Sequence, residues 1–163
     1  MKNLSIRPAK TANIKEIVEI DKIAFGKNYW NYNVFTNEFN NQYSKYFIAT
    51  NIDDNIIKGY IGYWKVFNEG HITTLAVLPF YRRNHIADKL LYSLIVNSIK
   101  NNIKWLTLEV RISNLPAIYL YEKFKFKQLG IRKKYYQDNN EDALLLWSQI
   151  IDRNYIDYIK NIC

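Results

Sequence analysis

AVLPFYRRNHIADKLL, residues Ala76 to Leu91, joins two kinds of pattern. It opens as the end of an apolar, strand-like run and stops at Pro79. Arg82 and Arg83 follow, and then an amphipathic helical pattern begins. A helix start already carries unpaired N–H groups and a partial positive charge. Arginines placed there lose a little stability until an anion arrives. Free N–H groups, dipole and guanidinium together suit a phosphate or pyrophosphate. A solvated Arg-Arg turn before an ordinary helix is the plain alternative. The five glycines form neither GxGxxG nor GxxxxGKS/T, which argues against NAD and ATP in their common binding modes.

Outward from that stretch, the chain alternates strands and helices. Toward the N-terminus, YFIATN, IIKGYIGYWKVF and HITTLAV read as three strands. Turn signals at Asp53-Asp54-Asn55 and Asn68-Glu69-Gly70 separate them, so they form an antiparallel meander. Before them, ANIKEIVEIDKIAF has apolar residues at Ile14, Ile17, Val18, Ile20, Ala24 and Phe25, a helical spacing. Asn13 or Thr11 is its candidate cap. GKNYWNYN is a polar-aromatic loop, VFTNEFNN a short helix, and Leu4 to Arg7 a first strand. Toward the C-terminus, IADKLLYSLIVNSIK is a helix and WLTLEVR a strand. ISNLPAIYLYEKF is a loop and then a short helix opening near Asn114 and Pro116. FKQLGIRKKYY and EDALLLWSQ make a closing hairpin around Gln137 to Asn140, and DRNYIDYIKNIC a terminal helix. The expected fold is α/β, with a mixed, mostly antiparallel central sheet of about six to seven strands and helices on both faces. One domain is expected over residues 1–150, with a short, helical tail over 151–163.

The net charge of +8 invites a nucleic-acid partner. Ile, Asn, Lys and Tyr dominate the chain, however, and all have AT-rich codons. The lysines are also scattered rather than gathered in a stripe, so direct nucleic-acid binding is not expected. A positive surface would also suit an anionic cofactor. The single cysteine, Cys163, and the two histidines, His71 and His85, offer no disulfide and no metal-ligand spacing, so no metal is expected. No run of 18 apolar residues exists to span a membrane, and no signal-peptide core is visible at the N-terminus. A reducing compartment is expected: cytoplasm, or plastid stroma if an organelle genome encodes the chain.

VLPFYRRNHIADKLL resembles the acetyl-CoA signature of the GCN5-related N-acetyltransferases (GNAT), R/Q-x-x-G-x-G/A, at Arg82, His85 and Ala87. The resemblance implies that Arg82, Arg83, Asn84, His85, Ile86 and Ala87 hold the CoA pyrophosphate. His85 stands where that family prefers glycine. If the position needs φ > 0, histidine costs about 1–2 kcal/mol there, although it is one of the non-glycine residues enriched in that region. If the position is helical, the cost is small. WLTLEVRISNLPAIYLYEKFKFKQLGIRKKYYQDNNEDALLLW is similar to the ribosomal-protein alanine N-acetyltransferases, the RimI branch. Their pattern LEVRxSNxxAxxLYxKxGF…R…YYxDxxEDA is nearly complete, with Lys125 in place of the last glycine.

That resemblance implies acetyl transfer from acetyl-CoA to a protein N-terminal α-amine, the acceptor being the N-terminal alanine of the eighteenth small-subunit ribosomal protein. It implies Glu109 as general base, Tyr121 as general acid, and Asn114 as a CoA contact. It implies Leu75, Ala76 and Val77 as a strand whose backbone pairs with the pantetheine arm. It places Tyr29, Trp30, Tyr135 and Tyr136 against the acceptor peptide. The residues also have plainer readings. On a strand, Glu109 shares a face with Thr107 and Arg111 and could be a surface carboxylate paired across the sheet. Tyr121 could be a core aromatic of its helix, with Tyr119 structural, and Asn114 a cap. His71 is the alternative base, since imidazole exchanges protons near neutral pH. Glu141 and Asp142 read as turn and hairpin carboxylates, and could also hold a basic substrate. An acetyltransferase for another amine (lysine, polyamine or small molecule), or a binding module of the ribosome or RNA that has lost catalysis, are the competing functions.

Overall fold

The structure, a computed structural model, describes residues 4–51 and 55–162. Element order is β1 (Leu4–Pro8), α1 (Ile14–Phe25), α2 (Tyr32–Asn40), β2 (Ser44–Asn51), β3 (Ile57–Val66), β4 (Glu69–Val77), α3 (Ile86–Lys100), β5 (Trp105–Arg111), α4 (Leu115–Lys123), β6 (Lys127–Tyr136), β7 (Glu141–Trp147) and α5 (Arg153–Lys160). Strand order in the seven-stranded sheet is β1-β2-β3-β4-β5-β7-β6. This is the mixed α/β sheet that the pattern implied. Two compact units make up the chain: Met1–Lys65 with Ile72–Leu94, and Val66–His71 with Ile95–Cys163.

In the first unit β1 and β2 pair antiparallel, as do β2 and β3. Its core gathers Ile14, Ile17 and Ile20 of α1, Phe35 of α2, and Tyr46, Ile48, Ile57, Tyr60 and Ala76 of the strands. The isoleucines recur at helical spacing on α1, so one face of that helix is buried. Phe35 meets both Tyr46 and Tyr60 edge-on, at 6.1 and 5.8 Å, a favoured aromatic geometry. Gly59 and Gly62 leave no room for a Cβ, one against the Ala76 carbonyl and the other against the Tyr46 ring.

In the second unit β4 runs parallel to β5 through Glu69–Trp105, Gly70–Leu106 and His71–Thr107. β7 is antiparallel to both its neighbours and lies between β5 and β6. α4 starts on Asn114, whose side chain accepts from Ala117 N at 3.3 Å. It ends in two reverse bonds, Phe126 N to Tyr121 O (2.9 Å) and Lys125 N to Glu122 O (2.8 Å). That is the Schellman ending, whose left-handed position usually carries glycine. Lys125 occupies it at φ 59°. α5 buries Tyr155 and Ile159, and the Tyr155 hydroxyl donates to the Phe124 carbonyl at 2.5 Å.

Several local expectations need correction. Asn13 precedes α1 but makes no side-chain cap bond to it. Its oxygen instead accepts from Lys10 N at 3.0 Å, tying down the preceding segment. α2 begins at Tyr32, because Asn31 caps it by accepting from Val34 N at 3.1 Å. The turn between β3 and β4 is Phe67–Asn68 rather than Asn68 to Gly70. Phe67 takes φ 53° there and is fully exposed. Tyr119 is exposed rather than packed. Asp53 and Asp54 of the other expected turn lie outside the described residues. No helix among the described residues is long and apolar enough to cross a membrane.

Candidate active site

Strand alternation on β5 puts Leu106, Leu108 and Val110 into the core and turns Thr107, Glu109 and Arg111 to the other face. Glu109 is not a surface carboxylate: its side chain is 6% exposed. Its Oε2 lies 3.1 Å from Nε2 of His71, and its Oε1 lies 2.9 Å from Nε of Arg132. The two residues that competed for the role of base are therefore one contacting pair. Arg132 reaches Glu109 across an intervening strand. Glu109 is level with Leu145 of β7, and Arg132 with Ala143 two residues away. Two strand spacings are about 9.6 Å, a gap that needs the full length of an arginine.

Tyr121 is turned inward from α4 and is 5% exposed, beside the Phe126 ring at 5.4 Å. Burial, and then the neighbouring Tyr136, raise its phenol well above the usual tyrosine range. It is a neutral O–H donor at any physiological pH. Tyr136 is pushed up to about 12, chiefly by burial, with the nearby Arg111 acting the other way. Tyr135 is raised by burial and by the Glu109 charge. The two tyrosines pack edge-on at 5.2 Å. So Glu109, His71, Tyr121, Tyr135 and Tyr136 lie in one unit as one electrostatically linked group, with Asn114 at the head of the helix that carries Tyr121.

The β6–β7 hairpin is held by Arg111, which donates to both carboxylate oxygens of Asp138 (2.9 and 3.0 Å) and to Glu141 (3.1 Å). Its guanidinium lies over the Tyr136 ring at 3.8 Å. Glu141 also accepts from Ser113 N (2.9 Å) and Asn139 (3.1 Å), and is held down at about 2 by the Ser113 and Asn139 bonds and then Arg111. Asp142 accepts from Lys133 and from Lys134 N, both at 2.8 Å. Asp142 is thus engaged within its own hairpin, and Glu141 ties the hairpin to the end of β5. The clamp orients the paired tyrosines.

In the first unit, the turn before α3 has positive φ at Arg83 (62°) and His85 (57°), with Asn84 between them. Backbone that alternates this way turns successive N–H groups toward one concavity, a nest for anions. It sits at the N-terminus of a 15-residue helix. Asn84 braces it by donating to the carbonyls of Tyr81 (3.2 Å) and Arg82 (3.0 Å). Arg82 folds back to donate to the Val77 carbonyl at 3.2 Å, so it ties the turn to the end of β4. Leu75 and Val77 are half-buried and Ala76 is buried. Of the two conformations open to His85, the left-handed one is present. His85→Gly should therefore stabilise the fold by ~0.5–1 kcal/mol, less than the full left-handed penalty because glycine also loosens the unfolded chain. Differential scanning calorimetry should show a rise of roughly 2–3 °C.

Tyr29 is exposed, whereas Trp30 is half-buried with its ring 5.7 Å from that of Phe35. The Trp30 N–H donates to Asp21 Oδ2 at 2.5 Å. Asp21 and the Arg111 clamp have no counterpart among the residues expected from the sequence. Arg132 stands in the pattern quoted above, but its contact with Glu109 is a matter of strand order, which the pattern does not show. Among the described residues no cluster of His, Cys, Asp or Glu could hold a metal ion.

Residues 13–126 match the family model described as the Acetyltransferase (GNAT) family. A Bacillus subtilis (strain 168) relative, provisionally named a ribosomal protein bS18-alanine N-acetyltransferase, is 35% identical over 90% of this chain and 95% of its own. An N-alpha-acetyltransferase of Saccharolobus solfataricus is 36% identical over 89% of this chain and 92% of its own. Among solved structures, the ribosomal-protein-S18-alanine N-acetyltransferase of Escherichia coli superposes with a TM-score of 0.83 at 28% identity, covering 91% of this chain and 94% of that one. The chain belongs to the GNAT acetyltransferase family.

Proposed function

We propose that this protein moves an acetyl group from acetyl-CoA to the N-terminal α-amine of a protein, and that its acceptor is the N-terminal alanine of ribosomal protein bS18. The contact of Glu109 with His71, within electrostatic reach of Tyr135 and Tyr136, carries the reading. The names of the Bacillus and Escherichia relatives support the acceptor, and the archaeal relative supports the α-amine class.

Acetyl-CoA supplies the activated acetyl thioester. The residues present fit it: the nest at Arg83–His85 and the N-terminal end of α3 suit a pyrophosphate. Arg83 adds charge, Arg82 fixes the turn, and Asn84, Ile86 and Ala87 complete it. Leu75, Ala76 and Val77 lie beyond His71, where the ladder of β4 with β5 ends. Their backbone offers strand-like pairing to the pantetheine, with Asn114 as a further polar contact.

The incoming amine must lose a proton before it can attack. Glu109 holds His71 through Nε2, which leaves Nδ1 as the acceptor face of the imidazole. The pair takes the proton, and Arg132 fixes the carboxylate from its other side. Tyr121 donates its hydroxyl proton to the departing sulfur. Tyr29 and Trp30 of the first unit, and Tyr135 and Tyr136 of the second, are the proposed peptide contacts. Acetylation of a panel containing an alanine-starting bS18 peptide, its lysine-only counterpart and spermidine, read by mass spectrometry, tests the proposal. Modification of the α-amine alone is expected. Exclusive modification of lysine or spermidine would overturn it.

A further inference from the structure

Asp21 is a buried carboxylate that the proposed chemistry does not use. It lies on α1 and is 2% exposed. One oxygen accepts from the Trp30 backbone N–H at 2.5 Å, and the other accepts from the Tyr60 hydroxyl. The Tyr60 oxygen in turn lies 3.0 Å from Oγ1 of Thr74 on β4. One side chain therefore links the loop of Tyr29 and Trp30 to the strand that continues into Leu75, Ala76 and Val77. A buried carboxylate without a charged partner is expensive for a fold that needs only packing. An apolar residue would close this space at lower cost, but it could not hold a backbone N–H and a hydroxyl from two different elements.

We infer that Asp21 is a positioning residue for amine binding: through Trp30 on one side and Tyr60–Thr74 on the other, it fixes the acceptor-facing loop relative to β4. The inference rests on the proposed place of Tyr29 and Trp30 beside the acceptor. Asp21 touches no substrate itself. The link needs two hydrogen bonds, one to each element, not a charge. Asparagine can supply them: its oxygen accepts from Trp30 N–H and its amide donates to Tyr60, whose proton turns to Thr74. Alanine supplies neither. Tyr60→Phe keeps the ring against Phe35 but cuts the tie to Thr74.

Steady-state kinetics on the full chain should separate these variants. Asp21→Ala should raise the acceptor-peptide KM by roughly tenfold or more, since small misplacements are strongly felt. The acetyl-CoA KM should stay near wild type, and Asp21→Asn should restore peptide binding. Tyr60→Phe should raise the peptide KM several-fold. Hydrogen exchange of the Trp30 amide gives a second readout that needs no turnover. Protection should be lost in Asp21→Ala and kept in Asp21→Asn. If wild type modifies spermidine or lysine instead of the peptide, the functional reading fails, and the KM comparison is made with that amine. A folded Asp21→Ala protein with wild-type amine KM and wild-type Trp30 protection overturns the inference. If Asp21→Ala does not fold, an unchanged amine KM in Tyr60→Phe overturns it equally.

Discussion

Glu109→Gln should slow acetylation of an alanine-starting peptide by roughly 10²–10⁴-fold at pH 6–7, the range for a lost general base. The defect should shrink as pH rises toward 9. A protein α-amine titrates near 7.7–8.0, so only about a tenth of it is neutral at pH 7 and most of it is neutral at pH 9. A lysine acceptor, titrating near 10.4, would stay mostly protonated at pH 9 and recover little. One variant, one pH series and two peptides therefore separate the acceptor classes. Stability should change little, because Arg132 is 55% exposed and water can replace its partner. His71→Gln should show the same pH profile, and the double variant should be no worse than the more damaged single one, as for groups that act as a unit. A Glu109→Gln defect that is equal at every pH would assign the carboxylate to peptide positioning. Wild-type rates throughout would remove it from the chemistry.

Tyr121→Phe should lower kcat by about 10²-fold, with acetyl-CoA affinity nearly unchanged. The substitution keeps the ring and its contact with Phe126, so thermal stability should hold. Its pH dependence is the distinguishing feature. Burial keeps the wild-type phenol protonated far above neutrality, so the loss should be the same from pH 6 to 9. The Glu109→Gln defect, by contrast, should fade with rising pH. Unchanged turnover would make Tyr121 a core residue and nothing more.

Local patterns in the sequence carried far. α3 and β5 run over the residues their periodicity marked, because each has uninterrupted apolar spacing and a clear breaker at its start. The Pro79-to-Ala87 turn could be proposed as an anion site from the sequence because helix starts behave alike wherever they occur. What the pattern could not reveal were pairings between residues distant in sequence. Arg132 meets Glu109 only because β7 lies between their strands. Asp21 reads as an ordinary polar position of an amphipathic helix, and only the tertiary fold brings Tyr60 to it. The left-handed backbone at His85 and Lys125 was hidden for another reason. These residues do not announce that conformation as glycine does, and the surrounding bonds impose it.

The placing of β7 has a consequence for how this protein is made. A ribosome releases β5 first, then β6, then β7, yet β5 and β6 have no ladder until β7 enters between them. Until then the nascent chain holds two open strand edges, and Arg132 has no fixed path to Glu109. The Arg132 contact with the carboxylate is thus secured only once β7 has been made. Every incomplete product ending before β7 carries the acetyltransferase signature but lacks the clamp on its candidate base.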